Sequence, residues 1–406
     1  MDKNTIFTGQ PVFNQILDFI NRSDFDSLVK EHKGDRYCKK FMSYDHLVTM
    51  LYSAFFQCNS LREITTGMQA NYNKLHHVGL KQLPARSTLS EANERRPEAI
   101  FSGLYNLLYK AHFSLPDSRS KKSREEELYI LDSTTIKLFS SVMKGAGTAS
   151  RSGKKKGGAK AHVMMDSKHD LPAFICISEA KENDLLIYKH VQIPNGSTVV
   201  FDKAYTKYQE FISMEKRSIR WVTRLKIDTH VEMKEERMVD EESRNSGVMR
   251  DYFAIIGRPS NQHITPRVNV RVVDYHDTLE DRCFLFLTND FERRPEEIAA
   301  LYKKRWQIEL LFKRLKQRYP LRYFLGDNPN AIKIQIWAAL ICDLLVKLIQ
   351  KKVSLRTKRK WSYANISSMI KHHLMSYIKL IEFLVNPEII FKSSQNSSLQ
   401  LSLFKT

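Results

Sequence analysis

A mixed α/β sheet with helices before and after it is the fold class this sequence predicts, on three observations. Residues 1–125 carry apolar side chains at helical spacing, strand-length apolar runs begin at Leu128, and beyond that point strands come first and then alternate with helices.

In the first region Leu47, Met50, Leu51, Ala54 and Phe55 recur at helical intervals between Ser43 and Phe56, and Ile100, Phe101, Leu104, Leu107 and Leu108 do so after Pro97. Ser60-Leu61-Arg62-Glu63 and Thr88-Leu89-Ser90-Glu91 each match a capping box, in which the fourth residue returns a hydrogen bond to the helix start. Pro84 and Arg86 lead into the helix expected at Thr88, which carries Arg95 and Arg96. A turn before a short basic helix suits the reading half of a helix-turn-helix, which makes Arg86, Arg95 and Arg96 candidate DNA contacts. It suits an ordinary bundle with solvated arginines equally well.

Residues 117–127 are charged, nearly devoid of apolar side chains, and read as a linker. Leu128-Tyr129-Ile130-Leu131 then reads as a buried central strand, with further strands over 161–165 and 173–178 joined by a turn at Lys168-His169-Asp170. A helix over 184–191, a strand over 198–201, a helix over 208–216 and a strand over 219–225 follow. From 226 to 281 the pattern is polar and strand-like, with Val268-Asn269-Val270-Arg271-Val272 alternating, as in a β-rich insertion. Residues 283–287 return to a buried strand, and a long helix begins at Pro295, with Glu296 and Glu297 against its positive end. The expected division is a helical DNA-binding region (1–125), a core in two parts (126–225 and 283–350) around the β-rich insertion (226–282), and a basic helical region with a frayed tail (351–406).

The charge balance says most about partners. Against 45 Asp and Glu stand 65 Lys and Arg, a formal +20. An excess of this size points to a polyanion, because each neutralised phosphate releases condensed counterions. A ribosomal or membrane-surface protein would share it. The longest apolar stretch, 332–349, is interrupted by Lys333, Gln335, Asp343 and Lys347, which argues against a membrane span. Residues 1–9 lack the basic and apolar segments of a secretory signal. Five scattered cysteines without a C-x-x-C pair disfavour zinc and a disulfide framework and fit a reducing cytoplasm. The Gly- and Lys-rich segment 145–160 fails as a phosphate loop, since five residues separate Gly147 from Gly153 and Lys154 is followed by Lys155. A basic loop tracking DNA backbone suits it better. Lys351, Lys352, Arg356, Lys358, Arg359 and Lys360 form a second basic run.

Chemistry is suggested by two aspartates at the ends of apolar runs, Asp132 after Leu131 and Asp202 after Phe201. Open α/β sheets place ligand sites at such strand ends, although either residue alone would also suit a turn or a cap. On the long helix Tyr302, Arg305, Glu309 and Lys316 fall within an arc of about 60°. Beside them Leu301, Ile308, Phe312 and Leu315 form an apolar stripe.

The spacing Tyr302, Arg305, Glu309, Lys316 resembles the Y-R-E-K signature of bacterial cut-and-paste transposases of the insertion-sequence four family. Asp132 in Leu-Asp-Ser-Thr-Thr and Asp202 in Val-Phe-Asp-Lys-Ala-Tyr resemble that family's two catalytic aspartates, with Lys203 a departure from the Arg expected there. The resemblance covers about residues 85–350. It implies an RNase H-like fold with a β-rich insertion before the last acidic residue, and Asp132, Asp202 and Glu309 as catalytic ligands of Mg²⁺ or Mn²⁺. Two such ions suit phosphodiester cleavage, and carboxylates suit magnesium. Around that centre Arg305 suits a bidentate grip on phosphate and Lys316 a point charge. Tyr302 suits a hydrogen bond to the DNA backbone, and Trp306 a stack on an unpaired base. The implied partners are double-stranded transposon ends and target DNA, handled by a homodimer on paired ends in the bacterial cytoplasm, at the nucleoid. A nuclease or resolvase of RNase H-like fold that cuts without joining remains an alternative, as does a non-catalytic DNA-binding regulator.

Overall fold

The computed structural model describes residues 9–80, 82–113, 127–137, 158–179, 182–258, 266–319, 321 and 323–388. The expected linker and the expected basic loop lie outside these residues except for 127 and 158–160, and the tail from Phe391 lies wholly outside.

Helices come first: α1 (Val12–Leu17), α2 (Arg22–Glu31), α3 (Ser43–Phe56), α4 (Leu61–Ala70), α5 (Tyr72–Leu75), α6 (Arg86–Arg95) and α7 (Ala99–Phe113). Next come β1 (Leu128–Lys137), β2 (Gly158–Asp166), β3 (Leu171–Glu179), β4 (Thr198–Phe201), α8 (Tyr208–Lys216) and β5 (Arg220–Arg224). The strands continue with β6 (Val231–Arg237), α9 (Glu241–Asn245), β7 (Val248–Ile256), β8 (Val268–Asp277) and β9 (Arg282–Thr288). Then follow α10 (Pro295–Lys303), α11 (Trp306–Arg318), α12 (Pro329–Ser354), α13 (Tyr363–His373) and α14 (Leu380–Val385). The chain forms two compact units, Met1–Pro116 with Leu315–Thr406, and Asp117–Arg314.

The helical unit is built around α12. From Ala331 to Ile349 every residue except Lys333 and Lys347 is buried. A helix apolar on all sides needs neighbours on all sides, and α3, α6, α7, α13 and α14 supply them. The sequence assigned 283–350 to the α/β core and separated 1–125 from 351–406. Instead α12 leaves that core and joins both ends of the chain in one helical core. Side chains fix its entry: Asn330 Nδ2 donates to the carbonyls of Asn93 (2.9 Å) and Arg96 (2.7 Å), and Trp337 Nε1 donates to Glu98 Oε2 (2.7 Å). His46, wholly buried, lies 2.8 Å from Asn93 Oδ1; burial, with Arg96 beside it, lowers its pKa to about 3, so it stays neutral.

Ser60 caps α4 as expected, accepting from the Glu63 amide at 3.1 Å, while the Glu63 carboxylate reaches back to the Asn59 amide, 2.8 Å away. The second predicted cap is displaced. Helix α6 starts at Arg86 with extended Ala85 at its N-cap, and the Leu89 amide already donates to the Ala85 carbonyl, so Thr88 lies inside the first turn.

One expected result follows from this shared core. A fragment of residues 1–116 would leave the inner faces of α3 and α7 without α12, and should show helical circular dichroism with no cooperative thermal transition. A sigmoidal melt matching that of the whole chain would show that α12 is dispensable.

In the second unit the nine strands form one sheet in the order β3-β2-β1-β4-β5-β9-β8-β7-β6. Strands β1, β4 and β5 are parallel, and β2 runs antiparallel to both its neighbours. The order and directions of β1 to β5 are those of an RNase H-like core. Strand β4 explains the unbroken apolar run Thr198-Val199-Val200-Phe201, since both its faces are covered. Val199 and Phe201 face one core with Phe211 of α8 and Trp221 of β5, whose rings stack at 3.9 Å. Val200 faces a second core with Ile298, Ala299 and Tyr302 of α10.

The stretch read as an insertion continues this sheet, because β8 pairs with β9 and β9 with β5. At its root, Arg271 of β8 is fully buried and grips Asp251 of β7 through Nε and Nη2, both at 2.8 Å. Its Nη1 donates to the carbonyls of Asp290 (3.1 Å) and Arg293 (2.6 Å), just before α10. The helix expected over 184–191 is a 3₁₀ turn, Asp184–Lys189. Among the described residues no helix is long and apolar enough to cross a membrane.

Candidate active site

Strand β1 is longer than its apolar run suggests, and Asp132 sits within it, opposite Val163 of β2. What ends at Asp132 is the parallel pairing with β4, whose last matched pair is Leu131 with Phe201. Asp202 is the first residue after β4, so the register sets the two aspartates side by side. Asp202 also caps a short 3₁₀ turn, Lys203–Tyr205, accepting from the Ala204 amide at 3.1 Å.

The third carboxylate arrives from the helices after β9. The expected single helix is two: α10 ends at Lys303, and α11 begins at Trp306. At the join the amides of Arg305, Gln307 and Ile308 donate to the carbonyls three residues earlier, a tighter turn than that of an α-helix. The four signature residues therefore do not form one helix edge. Tyr302 belongs to α10 and is only 7% exposed, packed against Phe286 with ring centroids 4.9 Å apart. Its ring thus faces the core of the unit and not the open surface. Its ring lies between two guanidinium groups, Arg224 at 5.7 Å and Arg305 at 5.8 Å, where burial raises its phenol pKa.

Arg305 joins the parts of the site. Its Nη1 donates to Asp132 Oδ2 and its Nη2 to Glu309 Oε1, each at 2.7 Å. The i,i+4 spacing of Arg305 and Glu309 thus survives the helix break. Helix α11 is itself held to the β2–β3 turn, with Ser167 Oγ donating to Gln307 Oε1 at 2.7 Å and Arg314 pairing with Asp170. Asp202 has its own cation, Arg224 at the end of β5, 2.9 Å away. Arg224 was missed from the sequence, yet the strand-end rule that singled out Asp202 applies equally to it.

Burial pushes the Asp132 carboxyl up to about 6, and the charges of Asp202 and Glu309 act in the same direction, while the Ser133 amide and Arg305 oppose them. A partly buried carboxylate with two more carboxylates acting on it, all hard oxygen donors, suits a divalent cation of the magnesium type. Among the described residues no three acidic, His or Cys side chains stand close enough to enclose an ion as they are. The Arg305 guanidinium stands between Asp132 and Glu309, so closing the set requires it to move.

Trp306 is 58% exposed at the start of α11, and Lys316 is exposed seven residues beyond Glu309, about 20° from it around the helix. The predicted N-terminal contacts divide. Arg86 lines a cleft of about 530 Å³ with Ser60, Leu61, Arg62, Ser87 and Ser90. Arg95 is exposed and paired with Glu91 at 2.6 Å. Arg96 cannot reach DNA: it is 5% exposed, donates to the Phe41 carbonyl and lies over the Phe41 ring at 5.1 Å. Its position at the close of α6 turns it inward, which charge and spacing alone do not reveal.

Residues 123–345 match the model of the transposase DDE domain, and residues 8–81 match a domain of unknown function, DUF4372. The chain is 32% identical over 269 residues to "Putative transposase y4zB" of Sinorhizobium fredii, covering 65% of this chain and 71% of that one. It is 25% identical to "Putative transposase for insertion sequence element IS4SA" of Synechocystis, over 71% of this chain and 78% of that one. It is also 25% identical to "Probable transposase for insertion sequence element IS5377" of Geobacillus stearothermophilus, over 68% of this chain and 70% of that one. A solved piggyBac transposase synaptic complex with hairpin DNA is similar at a TM-score of 0.45 and 10% identity, over 94% of this chain and 81% of that one, a likeness too distant to carry an argument. With the matched domain spanning more than half of its length, the chain belongs to the DDE transposases of insertion sequences, enzymes that act on DNA with divalent metal ions.

Proposed function

We propose that this transposase binds the terminal inverted repeats of its own element and both cuts and rejoins DNA, with Mg²⁺ or Mn²⁺ held by Asp132, Asp202 and Glu309. The observation that carries this reading is the register of β1 against β4, which brings Asp132 beside Asp202, with Glu309 tied to Asp132 through one guanidinium. When bound, a pair of such ions supplies an activated hydroxyl and stabilises charge on the attacked phosphate and the leaving oxygen.

The protein's own residues do the positioning. Arg224 orients Asp202, and Tyr302 braces Arg224 and Arg305 from within the core. Arg305 exchanges a carboxylate for a phosphate oxygen when DNA arrives, a swap its planar fork of donors permits. Trp306, exposed beside it, offers a face for an unpaired base, and Lys316 offers a charge to a neighbouring phosphate. On the helical unit, Arg86, Arg95 and the basic run from Lys351 to Lys360 supply contacts to the DNA backbone. Two copies of the chain would hold two ends for joining to a target.

The test uses an end-labelled terminal repeat and a supercoiled target plasmid. The expected result is end nicking and joined product with Mg²⁺ or Mn²⁺, both lost on chelation. Cleavage without joining would identify a nuclease instead, and end binding without metal-dependent nicking would identify a regulator.

A further inference from the structure

Behind the aspartate pair lies a second polar cluster that the proposed chemistry does not use. Asp184, at the start of the 3₁₀ turn, accepts at Oδ1 from Ser133 Oγ (2.7 Å) and from Lys160 Nζ (2.8 Å), with the Tyr205 hydroxyl donating from 3.4 Å. His162 Nδ1 lies 3.7 Å from the same oxygen, while its Nε2 is 3.0 Å from Ser178 Oγ.

The donors come from different segments, and each segment bears on a catalytic residue. Ser133 follows Asp132 on β1, and its amide donates to Asp132 Oδ1 at 2.7 Å. Lys160 and His162 lie on β2, paired with Thr135 and Ser133 of β1. Tyr205 closes the turn capped by Asp202, its amide donating to the Asp202 carbonyl at 2.9 Å. Tyr205 is buried, and its own carbonyl accepts from the Tyr188 hydroxyl at 3.0 Å.

We propose that Asp184 is a positioning residue of the active centre, a carboxylate that fixes the spacing of Asp132 and Asp202 by holding Ser133, Tyr205 and Lys160 at one point. The inference rests on the assignment of those two aspartates as catalytic. A partly buried carboxylate with several donors is a rigid joint, because losing it leaves an ammonium and two hydroxyls short of an acceptor. The side chain of Lys160 is only 14% exposed, so it is poorly placed to be neutralised by solvent alone. His162 is fully buried, and burial lowers its pKa to about 4, so it is neutral and leaves Lys160 as the cluster's positive charge.

The experiment compares Asp184→Asn, Asp184→Glu, Lys160→Met and the double variant Asp184→Asn/Lys160→Met with the whole wild-type chain. It reads the single-turnover rate of end nicking at saturating metal, the Kd for the end, and the thermal midpoint. Asp184→Asn should slow nicking about ten- to hundredfold with end affinity changed less than about twofold. Asp184→Glu should recover part of that rate. The double variant should be faster than Asp184→Asn alone, because removing both partners leaves no stranded charge.

A wild-type nicking rate in Asp184→Asn would overturn the proposal. So would a rate loss that follows the thermal midpoint across all four variants, since that marks a purely structural role. Asp132→Asn is included to separate this inference from the reading beneath it. If Asp132→Asn still cleaves, the site assignment fails; if it is inactive while Asp184→Asn is normal, only the role of Asp184 fails.

Discussion

Glu309→Gln is expected to abolish the first nick and every step after it, while end binding is retained. Glutamine keeps the length of the side chain and an oxygen that can accept from Arg305, so the geometry around α11 should persist. It removes the negative charge that a divalent ion requires. Charge stabilisation by a metal is worth several kcal/mol, so the loss should slow nicking by roughly a thousandfold or more. Asp132→Asn should behave alike, because both side chains are held by the same guanidinium. A single-turnover time course on end-labelled DNA, with a mobility-shift assay for binding, checks both variants. Nicking within about tenfold of wild type in either one would remove that residue from the metal set.

Arg271→Ala should be the most destabilising single change away from the site. Breaking a buried pair by removing one partner costs about 3–5 kcal/mol, because the remaining charge has no solvent. Here Asp251 would keep only the partly exposed Arg237, 3.4 Å away, and two carbonyls before α10 would lose their donor. For a unit of this size the midpoint of thermal unfolding should fall by about 10 °C. Urea denaturation and hydrogen exchange at the β7 and β8 amides would measure the effect. A loss under about 1 kcal/mol would mean that water replaces the guanidinium. The same side chain holds two carbonyls just before α10, so reduced nicking by a folded Arg271→Lys variant would link this joint to the placement of Arg305.

Much of the catalytic unit was legible because its signals are local. The runs ending at Leu131 and Phe201 read as strands since both faces of a central parallel sheet are covered, and the aspartates beside them stand where such sheets place ligands. Spacing along the chain found Arg305 and Glu309, whose contact is within one turn. The break at Lys304 and Arg305 was not legible. No proline or glycine marks it, and the packing of Tyr302 into the sheet core has no counterpart in local spacing. The partnership of α12 with α3 and α7 was equally hidden, because a helix apolar on every side says that it is central without saying to what. Arg96 misled for a related reason: charge reads as exposure until a carbonyl such as that of Phe41 is found beside it. Arg224 and Asp184 act through partners far off in sequence, which spacing does not capture.

The helical core shared by the two ends of the chain also imposes a schedule on synthesis. At about 5–20 residues per second, α12 is complete roughly 10–50 s after α7. Through that interval the inner faces of α3 and α7 have no permanent cover, while the sheet that follows them can already close. The catalytic half is thus able to mature on the ribosome before the helices proposed to read DNA. A message cut short between α11 and α12 would carry all three proposed metal ligands without a finished means of addressing them.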